Sequence, residues 1–149
     1  GFREGEANLV GVVYDFYRDE LFAGLDGKFA TRNNSPVHVS RTSEPGRAVL
    51  CTGFPVSTDF AADALSGYVA MIQGFKKIRL LGSAALSLAY VASGRADAYF
   101  ERDIKIWDVA AGMALVRAAG GRTVIRPSDK HPLAVTVYAD NGLLPAMVD

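Results

Sequence analysis

The stretch Ala98-Tyr99-Phe100-Glu101-Arg102-Asp103-Ile104-Lys105-Ile106-Trp107-Asp108-Val109-Ala110-Ala111-Gly112 decides how this chain folds. Residues 96–100 read as an apolar strand, and the run after Trp107 reads as a helix that Asp108 opens. Glu101 then ends a strand and Asp108 begins a helix seven residues later. In an open α/β sheet the strands aim their carboxyl ends at a crevice, where the next helix starts with unpaired N–H groups and the positive end of its dipole. The two acids are therefore expected to face one ligand.

Working outward, strands and helices alternate from Arg47 onward. Residues 47–52 form the first strand. Ser57-Thr58-Asp59 offers caps for a helix reaching about Gly74, with Phe60, Leu65, Val69 and Ile72 along one stripe. Residues 77–81 form the second strand, and Ser83 caps a helix over 84–93 that Gly94 stops by taking a left-handed conformation. Downstream, the Asp108 helix runs to Ala119 and ends at Gly120-Gly121. Strands over 122–125 and 134–138 follow, and Asn141 caps a final short helix. Upstream, residues 9–42 read as an antiparallel meander, with turns at Tyr17-Arg18-Asp19-Glu20 and Leu25-Asp26-Gly27-Lys28 and a short strand at Val37-His38-Val39-Ser40. Ser43-Glu44-Pro45-Gly46 marks the change of pattern. The expected fold class is α/β: a mostly parallel or mixed sheet with helices on both faces over 43–149, preceded by the strands of 1–42.

Composition narrows the function classes. The chain has 149 residues, 50% hydrophobic and 21% charged, enough for a globular domain with a sizeable core. Sixteen basic and sixteen acidic residues cancel, so no broad positive field favours nucleic acid or an anionic membrane. The single cysteine, Cys51, lies in an apolar run and reads as a buried thiol, which suits a reducing cytoplasm. The first residues lack the pattern of a signal peptide, and no run approaches the roughly 20 apolar residues that span a bilayer. The absence of an initiator methionine, with a strand beginning near Leu9, reads as a piece of a longer protein.

Each candidate site residue also has an ordinary reading. Acids at a helix start accept backbone hydrogen bonds and complement the dipole, so Asp108 is either a cap or a ligand for a hard cation such as Mg²⁺. Asp103 reads as a solvated loop residue, and Trp107 as an aromatic packed under the helix start. Glu101 is either a strand end emerging into water or an acceptor for substrate hydroxyls, with about four lone-pair sites on its carboxylate. The tight turn Leu81-Gly82-Ser83-Ala84-Ala85 gives either a serine cap or a backbone open to a polar ligand. No glycine-rich nucleotide loop occurs. His38, His131 and Cys51 stand apart, which disfavours zinc and a cysteine nucleophile.

Trp107-Asp108-Val109-Ala110-Ala111-Gly112, ending in Gly120-Gly121, joins Gly82-Ser83-Ala84-Ala85 and the block from Val91 to Tyr99 in a pattern that resembles the C-terminal half of the inositol monophosphatase family. Gly11-Val12-Val13-Tyr14-Asp15, Asp19-Glu20-Leu21-Phe22 and Thr52-Gly53-Phe54-Pro55 extend the resemblance over about residues 9–140. The resemblance implies a homodimeric, lithium-sensitive phosphatase that hydrolyses a small-molecule phosphate monoester with Mg²⁺-activated water. It implies that Asp108 is a catalytic metal ligand that also touches substrate, that Glu101 binds ring hydroxyls, and that Gly82, Ser83 and Ala84 contact the sugar or inositol. The family's upstream Asp-Pro-Ile/Leu-Asp-Gly-Thr motif is absent. The expectation is therefore a substrate-facing portion acting on inositol or related polyol phosphates, inactive alone, whose strands at 1–42 complete an absent upstream domain. The alternatives are a non-catalytic polyol-binding module, a structural or dimerisation domain, and a fructose-bisphosphatase or nucleotide 3′-phosphatase of the same superfamily.

Overall fold

Strict alternation in β1 (Val10–Asp15) sends Gly11, Val13 and Asp15 inward and Val10, Val12 and Tyr14 outward. The structure, a computed structural model, describes residues 10–55, 58 and 60–145. β1 pairs antiparallel with β2 (Glu20–Leu25), β2 with β3 (Phe29–Arg32), and β3 with β4 (Ser35–Pro36), giving the order β1-β2-β3-β4. Gly27 takes φ 70° in the Asp-Gly turn. Asn33 stitches the other end, accepting from Leu21 N at 2.7 Å and donating to the Asp19 carbonyl at 2.8 Å. The strand expected over 37–40 is not one. Val37 N still donates to the Ala30 carbonyl of β3 at 3.0 Å, after which the chain leaves the sheet and Val39 N donates to the Ala119 carbonyl instead.

A second sheet holds β5 (Val49–Thr52), β6 (Lys77–Leu80), β7 (Ala98–Lys105), β8 (Arg122–Pro127) and β9 (Ala134–Asp140) in the order β6-β5-β7-β9-β8. β5 runs parallel to β6 and β7, while β9 is antiparallel to both β7 and β8, so the sheet is mixed. Alternation divides its side chains. Leu50, Ala98, Phe100 and Tyr138 face α1 (Ala62–Ile72), which buries Tyr68, Met71 and Ile72 against them. Cys51, Tyr99, Val137 and Ala139 face α2 (Ala84–Ala92) and α3 (Ile106–Ala118).

Several boundaries differ from expectation. The stripe of α1 is Tyr68-Met71-Ile72, whereas Phe60 and Val69 are exposed, because spacings of three and four from Tyr68 are the ones that meet the sheet. Ala61 is the N-cap of α1; the proposed caps Ser57 and Asp59 lie outside the described residues. Ser83 caps α2 by accepting from Leu86 N, and Gly94 follows at φ 70°. β7 continues past Phe100 to Lys105, because Ile104 and Lys105 pair with Val135 and Ala134 of β9. α3 begins at Ile106 with Lys105 at the N-cap, which places Asp108 inside the first turn. Asn141 accepts from the amides of Leu143 and Leu144 without a helix forming over 141–145; residues 146–149 lie outside the description.

α2 and α3 are held between the two sheets. Glycine makes this approach possible: a Cβ on Gly11 would collide with the Ala111 carbonyl oxygen, and one on Gly112 would lie 2.5 Å from Leu88 Cβ. Arg95 ties the first sheet to the end of α2 through two 2.6 Å bonds to Glu20, with its guanidinium beside the rings of Tyr90 and Phe22. A buried clasp closes the far end. Asp97 accepts from Ser40 Oγ at 2.5 Å and Val49 N at 2.6 Å, and Asn141 Nδ2 donates to Ser40 Oγ and the Thr42 carbonyl, both at 2.8 Å. Among the described residues no helix is long and apolar enough to cross a membrane.

Candidate functional site

The carboxyl ends of β5 and β6 and the start of α3 surround a cleft of about 450 Å³. Gly82, Ser83 and Ala84 form one wall, Thr52 and Gly53 another, and Glu101, Trp107 and Asp108 the third. Gly82 needs its φ of 71° to turn β6 into α2, and the turn presents short side chains to the cleft. Gly82, Ser83, Ala84, Glu101, Trp107 and Asp108 thus reach one space, which Asp103 does not line.

Glu101 does not emerge into water at a strand end. It lies within β7 on the same face as Tyr99 and is 7% exposed. The Tyr99 hydroxyl donates to Glu101 Oε2 at 2.8 Å, and a Cβ on Gly53 would stand only 2.5 Å from the same oxygen. Burial pushes the Glu101 carboxyl above its ordinary range; the Tyr99 bond opposes that shift and the Asp108 charge adds to it. Burial, followed by the charge of Glu101, also raises the Tyr99 phenol.

Two residues after Glu101 are displaced, because the register of β7 on β9 shifts between Glu101 and Ile104. Asp103 takes φ 57° there and is not a solvated loop residue: it accepts from Ser128 Oγ at 2.5 Å and pairs with Lys130 Nζ at 2.8 Å. Burial opposes its ionisation, but the bonds from Lys130 and Ser128 hold its carboxyl below the ordinary value. This bulge lets one strand carry Glu101 to the cleft and still rejoin β9 before α3 begins.

Asp108 is exposed in the first turn of α3, and its carboxylate makes no hydrogen bond or ion pair with the described residues. The capping reading therefore lacks a bond to support it. Trp107 is 61% exposed and lines the cleft instead of packing beneath the helix. Cys51 is buried, and loss of solvation pushes its thiol up to about 11, which leaves it inert as a nucleophile.

Reading the sequence missed Tyr99. The available signal was its spacing, two residues before Glu101 on a strand, which puts both side chains on one face. It also missed a cleft of about 120 Å³ behind Phe54, lined by Leu65, Tyr68, Phe100 and Arg102 on the α1 side of the sheet.

A divalent hard cation takes several oxygen ligands, and Mg²⁺ often uses one or two carboxylates together with phosphate and water. Asp108 fits one such place, since its carboxylate is accessible and unpaired among the described residues. Among the described residues no group of three His, Cys, Asp or Glu side chains is arranged to hold a metal. Any fuller ligand set would have to include other groups.

The sequence pattern of the inositol monophosphatase family matches residues 1–146. The chain is 43% identical over 138 residues to a protein named Nus factor SuhB from Xylella fastidiosa, covering 87% of this chain and 50% of that protein. It is 38% identical over 137 residues to an inositol-1-monophosphatase from Synechocystis, covering 89% of this chain and 47% of that one. The solved inositol monophosphatase from Anabaena superposes with a TM-score of 0.79 at 41% identity, over 91% of this chain and 54% of that one. This chain spans about half the length of these relatives. With an α/β fold shared with solved relatives and a family pattern that runs nearly end to end, the chain belongs to the inositol monophosphatase family.

Proposed function

We propose that this chain is the substrate-facing portion of a Mg²⁺-dependent phosphate monoester hydrolase that acts on inositol or a related polyol phosphate. The supporting observation is convergence: Gly82, Ser83, Ala84, Glu101 and Asp108 border one cleft of about 450 Å³. A carboxylate held against Gly53 accepts hydrogen bonds from adjacent ring hydroxyls, and the Gly82 turn lets the ring approach the backbone. From the first turn of α3, Asp108 would supply one metal ligand where the metal meets the phosphate. When bound, Mg²⁺ neutralises phosphoryl charge and makes a bound water more acidic. In this reading, the chain's residues bind and orient the polyol and place its phosphate near Asp108. Strands β1 to β4 would join further structure that supplies the remaining metal ligands. The complete protein is a lithium-sensitive, cytoplasmic homodimer.

The bareness of Asp108 as a metal site favours a second reading, a polyol-binding module without catalysis. Steady-state kinetics of the complete gene product separate the two. Asp108→Asn is expected to weaken Mg²⁺ dependence and lower kcat by about two orders of magnitude or more. Glu101→Gln is expected to raise KM for inositol 1-phosphate while sparing a simple aryl phosphate. A wild-type protein without phosphatase activity supports the module, and an Asp108→Asn protein with normal kcat and Mg²⁺ dependence reduces Asp108 to a residue of the helix start.

A further inference from the structure

Tyr99 is completely buried and does not line the cleft, so it cannot touch a ligand there. Its ring lies in the core between the sheet and α2 and α3, while its hydroxyl reaches Glu101 Oε2 at 2.8 Å. That is the sole side-chain hydrogen bond of Glu101 among the described residues. On the other side, the carboxylate lies flat against Gly53, where a Cβ would be 2.5 Å from Oε2, 2.8 Å from Cδ and 2.9 Å from Oε1. The Glu101 side chain is thus set from two sides, by a donor beneath and by a gap in front.

Packing alone does not require this hydroxyl. A phenylalanine would fill the same core volume without bringing a polar atom that needs a partner. A buried carboxylate that has lost its only donor keeps neither a fixed orientation nor a hydrogen-bonded oxygen. Resting on the polyol-phosphate reading above, we propose that Tyr99 is a positioning residue for substrate specificity: its hydroxyl fixes the Glu101 carboxylate, with Gly53 leaving the space, in the orientation that accepts ring hydroxyls.

The test compares the wild type, Tyr99→Phe and Gly53→Ala in the complete gene product, with inositol 1-phosphate and 4-nitrophenyl phosphate as substrates. Tyr99→Phe is expected to raise KM for inositol 1-phosphate about tenfold, the worth of one hydrogen bond to a charged group, with kcat changed less than about twofold. The aryl ester, which has no ring hydroxyls, keeps its kinetics. Gly53→Ala, at the cleft wall, displaces the same carboxylate from the opposite side and raises KM for inositol 1-phosphate more than that for the aryl ester, which keeps the inference testable if Tyr99→Phe does not fold. In a Glu101→Gln background, Tyr99→Phe adds little further. Equal losses on both substrates, an unchanged KM, or additive effects in the double variant would overturn the inference. A wild type that does not prefer inositol 1-phosphate overturns the polyol reading itself, and the role of Tyr99 falls with it.

Discussion

Glu101 carries its charge where burial makes charge unfavourable, and its single hydrogen bond only partly offsets that. Its carboxyl in the fold titrates above the ordinary 4.5, so its favourable contribution to stability is complete below that value and is lost as pH rises through the raised value. Glu101→Gln removes the charge and keeps an acceptor for Tyr99. It is expected to raise Tm at pH 7.5, by about 2–4 °C for each kcal/mol relieved, with no gain at pH 3.5. Calorimetry at the two pH values checks this, and an equal gain at both would show that the effect is unrelated to ionisation. That Glu101 and Asp108 border one cleft was legible in the sequence because a strand end and the next helix start meet at the sheet's carboxyl edge, while the roles proposed for them come from the family resemblance. Tyr99 was not, because a tyrosine in an apolar strand reads as core, and only coordinates show where its hydroxyl points. Trp107 was misplaced for the converse reason: a large aromatic suggests burial, yet it stands at the cleft mouth.

Between elements, the approach of α3 to the first sheet depends on missing side chains. Gly11→Ala would drive a methyl into the Ala111 carbonyl and is expected to cost about 1–3 kcal/mol. Val12→Ala, one residue on, removes two methyl-sized groups but from a side chain that is 53% exposed, and should cost less. Urea denaturation of the two variants gives the order, and a larger loss for Val12→Ala would mean that β1 is not held by α3. The alternation of strands and helices was readable from periodicity and from Ser83 and Gly94. The length of β7 was hidden by Glu101-Arg102-Asp103, whose charges suggest a loop, although β9 resumes pairing beyond them. The antiparallel return of β9 was equally hidden, since the sequence of a strand does not state its direction.

Across the molecule, the outer face of the first sheet presents Val10, Val12, Tyr14, Leu21 and Phe29, each at least 45% exposed. Such a patch on an open edge favours association. The purified 149-residue chain is expected to self-associate in light scattering; a monodisperse monomer with Val10–Asp15 strongly protected from hydrogen exchange would contradict this. The clasp at the opposite end has a consequence for the order in which the chain matures. Asn141 reaches back 101 residues to Ser40, and Asp97 reaches back 57 to the same hydroxyl. During synthesis the meander and the helices form while their closing contact is still untranslated. The segment from Val37 to Thr42 therefore gains its last two anchors, at Ser40 Oγ and the Thr42 carbonyl, only once Asn141 has left the ribosome, so residues just beyond β9 complete a clasp that Asp97 and Ala119 begin.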